Sequence, residues 1–290
     1  MRIAAVRPDQ LAVVVHENLI PLTNTVPVGS SMIDLITHWD TLRTNIAAAA
    51  RGSGTKLDPK QLLAPVARPS KIWAAASNYR RGGTGLDNST GRGAATSASN
   101  EEILDMAFLK PPSSVTGPEG NIIIPRTAET IFPELELCAV IGKEVRNVSR
   151  EAALDAVFGY TVILDVTARS DAWTAGGLVS TRCMRKGFDT FAPIGPWITT
   201  RDEIPDPQTL QMRLWVNGEL RQSATTGGMI NNVATLVSYL SRVSTLYPGD
   251  LISTGNPDAP DFQQQLAPGD SLTAEIEKVG KMNLYVQSEK

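Results

Sequence analysis

Cysteine and histidine are scarce in this chain, which contains two of each among 290 residues. Cys138 lies in an apolar run and Cys183 is far from it, so the sequence shows neither a disulfide framework nor a C-x-x-C metal-binding pattern. We interpret both cysteines as buried thiols in a reducing cytoplasm. His16 and His38 both belong to the N-terminal part of the chain, and we interpret both as structural residues.

Long apolar runs and basic clusters are also missing. No apolar stretch approaches the roughly 20 residues that a membrane helix needs, and Arg7, Asp9 and Gln10 interrupt the apolar N-terminus, so neither a membrane span nor a signal peptide is predicted. The formal net charge of -3, without any run of lysine or arginine, does not favour nucleic-acid binding. Since 42% of the residues are hydrophobic, the chain can bury a sizeable core, and we expect a soluble cytoplasmic protein.

The order of apolar and turn-forming stretches indicates a mixed α+β protein that is rich in strands and lacks the regular βαβ alternation of a Rossmann fold. Residues 31–54, 148–159 and 229–243 have helical patterns, and we expect the second of these helices to begin at Ser149 and end at Gly159. Pro65 and Pro69 interrupt a strand-like stretch. We place a domain boundary there, which gives a small N-terminal domain of residues 1–69 and a larger domain of residues 70–290.

Residues 80–107 begin with a stretch that is almost entirely glycine, serine, threonine, asparagine and aspartate. Such a composition cannot bury enough apolar surface to be rigid, and long loops in compact domains are usually functional or disordered. The segment is therefore predicted to be either an active-site lid or a mobile surface loop.

Three carboxylates interrupt strand-like apolar runs. Glu134 and Glu136 begin the stretch PELELCAVIGK, and alternation along a strand would place them on one face. Asp165 interrupts YTVILDV, where an acid among aliphatic residues is costly unless it is paired. One interpretation is an oxygen-ligand site for Mg²⁺, Mn²⁺ or Ca²⁺. In the other, the glutamates lie at an exposed strand end and Asp165 forms an ion pair with Arg169.

Several coupled motifs then appear in a fixed order: PELELCAVIGKEVRNVS, GYTVILDVTAR, RKGFDTFAPIGPW, VNGELRQ and STGNP. In this order and spacing they resemble the fumarylacetoacetate hydrolase superfamily from about residue 60 onward. The resemblance implies a β-rich roll as the C-terminal domain, a small N-terminal α/β domain and a homodimer. It also implies that Glu134, Glu136 and Asp165 bind a divalent metal ion, usually Mg²⁺.

The resemblance further implies an enzyme that cleaves a C–C bond in a 2-oxo or 1,3-diketo acid, such as an acylpyruvate or a product of aromatic ring cleavage. The metal ion would stabilise the enolate that is left when the bond breaks. Lys186 matches the active-site lysine of the family and would hold the substrate carboxylate or deliver a proton. Four further residues match substrate-side positions: Tyr79, Lys110, Arg169 and Gln222. Asn256 is a fifth candidate for substrate binding, which stands where the family commonly has threonine but can still donate to a carboxylate through its amide.

One part of the family pattern is missing. Gly82 and Gly85 stand where hydrolases of the family usually carry a histidine and a glutamate that activate water. Three hypotheses remain open: a C–C hydrolase that uses Glu101 or Glu102 as its base, a decarboxylase, isomerase or hydratase that needs no activated water for C–C cleavage, and a non-catalytic binding protein. The survival of Lys186 together with the three carboxylates argues against the third hypothesis.

Overall fold

The computed structural model describes residues 1–79, 99–173, 182–257 and 265–290. Within these ranges the chain forms five α-helices, α1 to α5 in order: Met32–Thr37, Trp39–Ala49, Asn100–Asp105, Arg182–Lys186 and Val233–Val243. The strands of the same ranges, β1 to β18 in order, are Arg2–Val6, Gln10–Val15, Asn18–Pro21, Thr55–Lys56, Ile72–Ala74, Phe108–Lys110, Val115–Thr116, Asn121–Ile124, Thr130–Phe132, Leu135–Ile141, Val157–Leu164, Thr167–Arg169, Ala192–Thr200, Gln211–Val216, Glu219–Thr225, Leu251–Ser253, Ser271–Ile276 and Gly280–Ser288. The prediction of a β-rich α+β protein is confirmed.

A large sheet with the order β4-β3-β2-β1-β13-β11-β10-β16-β5-β6 forms the centre of the described structure. Every residue of β10 and β11 is buried, because the sheet is covered on both faces. Leu137 and Val162 pack into one core with the second sheet, whose order is β15-β14-β17-β18-β8. The opposite face, which includes Cys138 and Ile163, packs into a core with α1 and α2. The continuous apolar runs in the sequence thus reflect strands buried on both sides.

The N-terminal part contributes strands β1 to β4 and helices α1 and α2. β1 pairs antiparallel with β13, so the large sheet continues from residues before position 70 into residues after it. The predicted division at residues 69 and 70 stays a prediction. No helix of the described ranges is both long and apolar enough to cross a membrane.

Two local expectations need correction. The stretch after Ser149 forms only a short 3-10 helix at Ala153–Ala156, and Gly159 lies inside β11 instead of ending a helix. A Cβ atom at Gly159 would stand 2.4 Å from the backbone oxygen of Thr199, so the glycine permits close pairing of two strands. The strand-like stretch that Pro65 and Pro69 interrupt also forms no strand at residues 62–64, where Leu62 makes only an isolated bridge to Val6.

Another local expectation holds. Helix α5 lies within the predicted range 229–243, begins after the capping side chain of Asn232 and buries its apolar face. The turns at Pro248 and Pro268 precede β16 and β17, and Gly249 and Gly269 adopt positive φ angles of 84° and 97° there.

Candidate metal centre

The three acids meet where β10 begins and β11 ends. Antiparallel pairing places Leu135 opposite Leu164, and the backbone N–H of Asp165 donates to the carbonyl oxygen of Glu134 over 2.8 Å. One carboxylate oxygen from each of Glu134, Glu136 and Asp165 lies within 4.8 Å of the others. All three side chains are buried, so the interpretation of an exposed strand end does not hold.

Two lysines provide the opposite charge. The ammonium group of Lys186, at the end of α4, contacts Glu134 Oε2 at 2.8 Å and also contacts Asp165 Oδ2. Lys110, at the end of β6, reaches Asp165 Oδ1 at 2.7 Å and donates to the backbone oxygen of Lys186. Asp165 therefore pairs with two lysines and not with Arg169, whose guanidinium carbon lies 4.9 Å from the centre of the Phe132 ring.

The pKa values of Glu136 and Asp165 are shifted in opposite directions. Burial, reinforced by the neighbouring charge of Asp165, raises the pKa of Glu136 to about 8. Burial also disfavours ionised Asp165, but the ammonium groups of Lys110 and Lys186 outweigh it and hold the pKa of that carboxyl below its usual value. Nearby positive charge thus stabilises the ionised form of Asp165 but does not offset the burial of Glu136.

The donor set fits a hard divalent cation. It consists of three buried carboxylates from different positions of two neighbouring strands, and the sequence places no histidine near them. Oxygen ligands of this kind suit Mg²⁺, Mn²⁺ or Ca²⁺. A divalent charge would also relieve the repulsion that raises the pKa of Glu136.

Side chains that the sequence analysis did not single out hold the acids in place. The hydroxyl of Ser253 and the backbone N–H of Gly255 both donate to Glu136 Oε2, at 2.5 and 2.7 Å. The hydroxyl of Thr167 donates to Glu134 Oε1 at 3.2 Å. Both hydroxyl residues lie within recognised motifs, STGNP and GYTVILDVTAR, but their contacts depend on strand pairing that the sequence does not state.

The predicted substrate-side residues occupy different surroundings. The buried hydroxyl of Tyr79 lies 3.7 Å from Met212 Sδ, and the ammonium group of Lys110 is buried against Asp165. Gln222 is buried below β10, where its Nε2 lies 3.4 Å from the oxygen of Leu135 and its Oε1 has no hydrogen-bond partner among the described residues. Arg169 and Asn256 are partly buried. The substrate-binding roles of all five stay predictions.

The two glutamates proposed as a base lie at the start of α3, and both are exposed. Glu102 accepts a hydrogen bond from the backbone N–H of Ser99 at 2.7 Å and completes a capping box, which lowers its pKa. This shift is opposite to the one that would suit a base near neutral pH. Ile103 and Leu104 of this short helix are buried. Gly82 and Gly85, and residues 80–98 of the predicted lid, lie outside the described residues.

Of the two cysteines and two histidines, all within the described ranges, Cys138 lies beside the cluster, two residues from Glu136 on β10. His16 and His38 are exposed, and both lie in the N-terminal part. Cys138 is buried as expected, but Cys183 is exposed because it lies on the outer side of α4. Among the described residues, the group of potential metal ligands at the cluster contains no histidine.

Comparisons with known proteins agree with this geometry. The family model described as the C-terminal domain of fumarylacetoacetate (FAA) hydrolase matches residues 71–287. Maleylpyruvate hydrolase of Aquipseudomonas alcaligenes is 35% identical over an alignment of 298 positions, which covers 99% of this chain and 100% of that protein. A mitochondrial oxaloacetate tautomerase of Bos taurus is 36% identical over 222 residues, covering 75% of this chain and 67% of that protein. A crystal structure of maleylpyruvate hydrolase from Sphingobium sp. SYK-6, in complex with manganese(II) and pyruvate, superposes with a TM-score of 0.81 at 33% identity over the full length of both chains.

Proposed function

The chain belongs to the fumarylacetoacetate hydrolase family, and from that premise we propose that it is a divalent-metal-dependent hydrolase that cleaves a C–C bond in a 2-oxo or 1,3-diketo acid. The observation that supports this most strongly is the buried cluster of Glu134, Glu136 and Asp165 with Lys186 against it. These three carboxylates would hold the ion, with Mg²⁺ and Mn²⁺ as the candidates. A bound divalent ion would stabilise the enolate that is left when the C–C bond breaks.

The charges of the cluster favour an acidic substrate. Three carboxylates face the ammonium groups of Lys110 and Lys186, so the ionised cluster has one excess negative charge before any ion binds. A divalent ion would reverse that sign and would attract a carboxylate. Lys186 is the better placed of the two lysines to hold such a group or to deliver a proton, because its side chain is 9% exposed whereas that of Lys110 is fully buried.

Hydrolysis of an acylpyruvate consumes one water and yields pyruvate and a carboxylic acid, so a group must take a proton from the attacking water. Neither histidine lies near the cluster, and Glu102 is engaged in the capping box. Glu101 is thus the better of the two proposed bases. The full-length similarity to maleylpyruvate hydrolase supports an acylpyruvate as the substrate class.

A second candidate is a tautomerase or isomerase of a 2-oxo acid. The specific observation in its favour is the lack of imidazole near the cluster, since a proton shift within the substrate needs no activated water. The similarity to the bovine oxaloacetate tautomerase supports it as well. For this reaction the three carboxylates and Lys186 would suffice.

Product analysis separates the two candidates. The purified protein would be incubated with acylpyruvates, oxaloacetate and ring-cleavage dienoates, each with Mg²⁺, with Mn²⁺ and with a chelator. The proposal predicts two acids from an acylpyruvate and no turnover with the chelator. Carbon dioxide would indicate decarboxylation, and a changed ultraviolet spectrum at unchanged mass would indicate isomerisation.

A further inference from the structure

Strand β16 and the residues that follow it lie directly beside the acid cluster. β16 pairs antiparallel with β10, and Ser253 of β16 stands opposite Cys138 of β10. Cys138 lies two residues after Glu136 on β10. Residues two apart share a face of a strand, so the side chains of Ser253 and Glu136 are diagonal neighbours on one face of the sheet. Ser253 is fully buried there.

Both hydrogen bonds that reach Glu136 end on the same oxygen atom. The Ser253 hydroxyl and the Gly255 backbone N–H donate to Oε2, over 2.5 and 2.7 Å. A carboxylate oxygen that accepts two hydrogen bonds has both of its lone-pair directions engaged. The two bonds fix the rotation of the carboxylate and leave Oε1 as the oxygen that can bind an ion.

The backbone after β16 is shaped to make the second of these bonds. Gly255 has a φ angle of 95°, which favours glycine, and a Cβ atom there would stand 2.9 Å from the Cβ atom of Asn78. Asn78 is fully buried, and its Nδ2 donates to the backbone oxygen of Thr254 at 2.8 Å. The turn is therefore held by two contacts: Asn78 donates to its Thr254 oxygen, and the N–H of Gly255 donates to Glu136.

We propose that Ser253 is a positioning residue for the metal ion, because its hydroxyl, together with the Gly255 N–H, holds the Glu136 carboxylate with Oε1 turned toward the ion. This inference rests on the proposed metal centre but not on the reaction that the centre performs. Groups that orient metal ligands in this way typically change metal affinity by about 10- to 100-fold when they are removed.

The test measures Mn²⁺ binding to metal-free protein, with free Mn²⁺ quantified by electron paramagnetic resonance. Ser253→Ala removes the hydroxyl, whereas Ser253→Thr retains it. Thr161→Val is the matched control, because Thr161 is a buried hydroxyl residue of the same sheet whose bond goes to the backbone oxygen of Gly195 at 3.1 Å. Thermal unfolding of each metal-free variant reports stability separately.

Ser253→Ala is expected to raise the Kd for Mn²⁺ by about tenfold or more, with Ser253→Thr and Thr161→Val within about threefold of the wild type. A Ser253→Ala protein that is destabilised but binds Mn²⁺ within twofold of the wild type would show a purely structural role and overturn the inference. If that variant does not fold, Ser253→Cys keeps the volume with a weaker donor, and wild-type affinity in it would also overturn the inference. A wild type without Mn²⁺ affinity would contradict the metal centre itself.

Discussion

At the scale of single residues, Lys186 and Lys110 contact the same carboxylate but differ in their other partners. Lys110 is enclosed between Asp165 and the backbone oxygen of Lys186, and burial lowers its pKa. Burial also opposes the charge of Lys186, but Asp165 and Glu134 outweigh it and raise its pKa. Lys186 therefore remains a cation at neutral pH, as a group that binds a carboxylate must.

Replacement of Lys186 by methionine keeps most of the side-chain volume and removes the charge. Turnover should fall by at least about 100-fold, because the lost ammonium group is the proposed partner of the substrate. Metal-free protein should also be less stable, since breaking a buried ion pair typically costs about 3–5 kcal/mol. Lys281→Met, on the exposed side of β18, is the matched control. Steady-state kinetics with near-normal turnover for Lys186→Met would remove this lysine from the site.

Glu101 and Glu102 are neighbours on α3 with different hydrogen bonds. If Glu101 takes the proton from water, Glu101→Gln should lower turnover by about 10²–10⁴-fold and leave Mn²⁺ affinity unchanged. Glu102→Gln should retain turnover, because a glutamine also completes a capping box. The two variants make the same substitution at adjacent residues of α3, so each is the control for the other. Full activity in both would favour the tautomerase or isomerase candidate.

At the scale of elements, α5 contributes its apolar face to the core that the two sheets share, and Asn232 caps its first turn. Asn232 Oδ1 accepts hydrogen bonds from the backbone N–H and the hydroxyl of Thr235, both at 2.9 Å. Asn232→Ala should reduce the free energy of unfolding by about 1 kcal/mol, whereas Asn232→Asp should retain the cap. Urea unfolding measures the difference. Equal stability of the alanine and aspartate variants would show that the cap contributes nothing.

Strands β10 and β11 and helix α5 show which structural features a local sequence pattern can predict. The apolar runs of β10 and β11 and the one-sided face of α5 could be predicted, because burial repeats with the period of each element. The role of Gly159 could not, because it follows from contact with Thr199, which is 40 residues away in the sequence. The acids of the cluster were predictable as a group, because charged residues in apolar strands are costly when they are unpaired. The partners Ser253 and Lys110 depend on which strands become neighbours.

At the scale of the whole molecule, the cluster joins several distant parts of the chain. Glu136 lies on β10, Asp165 follows β11, Lys110 ends β6, Lys186 ends α4 and Ser253 ends β16. Such a centre forms only when β6, β10, β11, β16 and α4 have come together. Binding of an ion to the folded state should therefore stabilise the whole protein. The homodimer implied by the family resemblance stays a prediction.

Mn²⁺ at about 100 times its Kd should add roughly 2.7 kcal/mol to the free energy of unfolding of the wild type. Differential scanning calorimetry should show a higher Tm with Mn²⁺ and its return after chelation. Glu136→Gln keeps the shape of the side chain and can still accept from Ser253, but it removes a charged ligand, so its Tm should respond little to Mn²⁺. An equal increase in Tm for the wild type and for Glu136→Gln would show that Mn²⁺ binds at a different site.

The most direct test of the proposed function is hydrolysis of an acylpyruvate in ¹⁸O-labelled water with Mn²⁺ present. Hydrolysis predicts pyruvate and a second acid in equal amounts, with one labelled oxygen in the new carboxylate of the second acid, and no products after chelation or in Glu136→Gln. Mass spectrometry of the products measures both the ratio and the label. A substrate that is fully consumed without releasing pyruvate, or that turns over equally well without the metal ion, would contradict a metal-dependent C–C hydrolase.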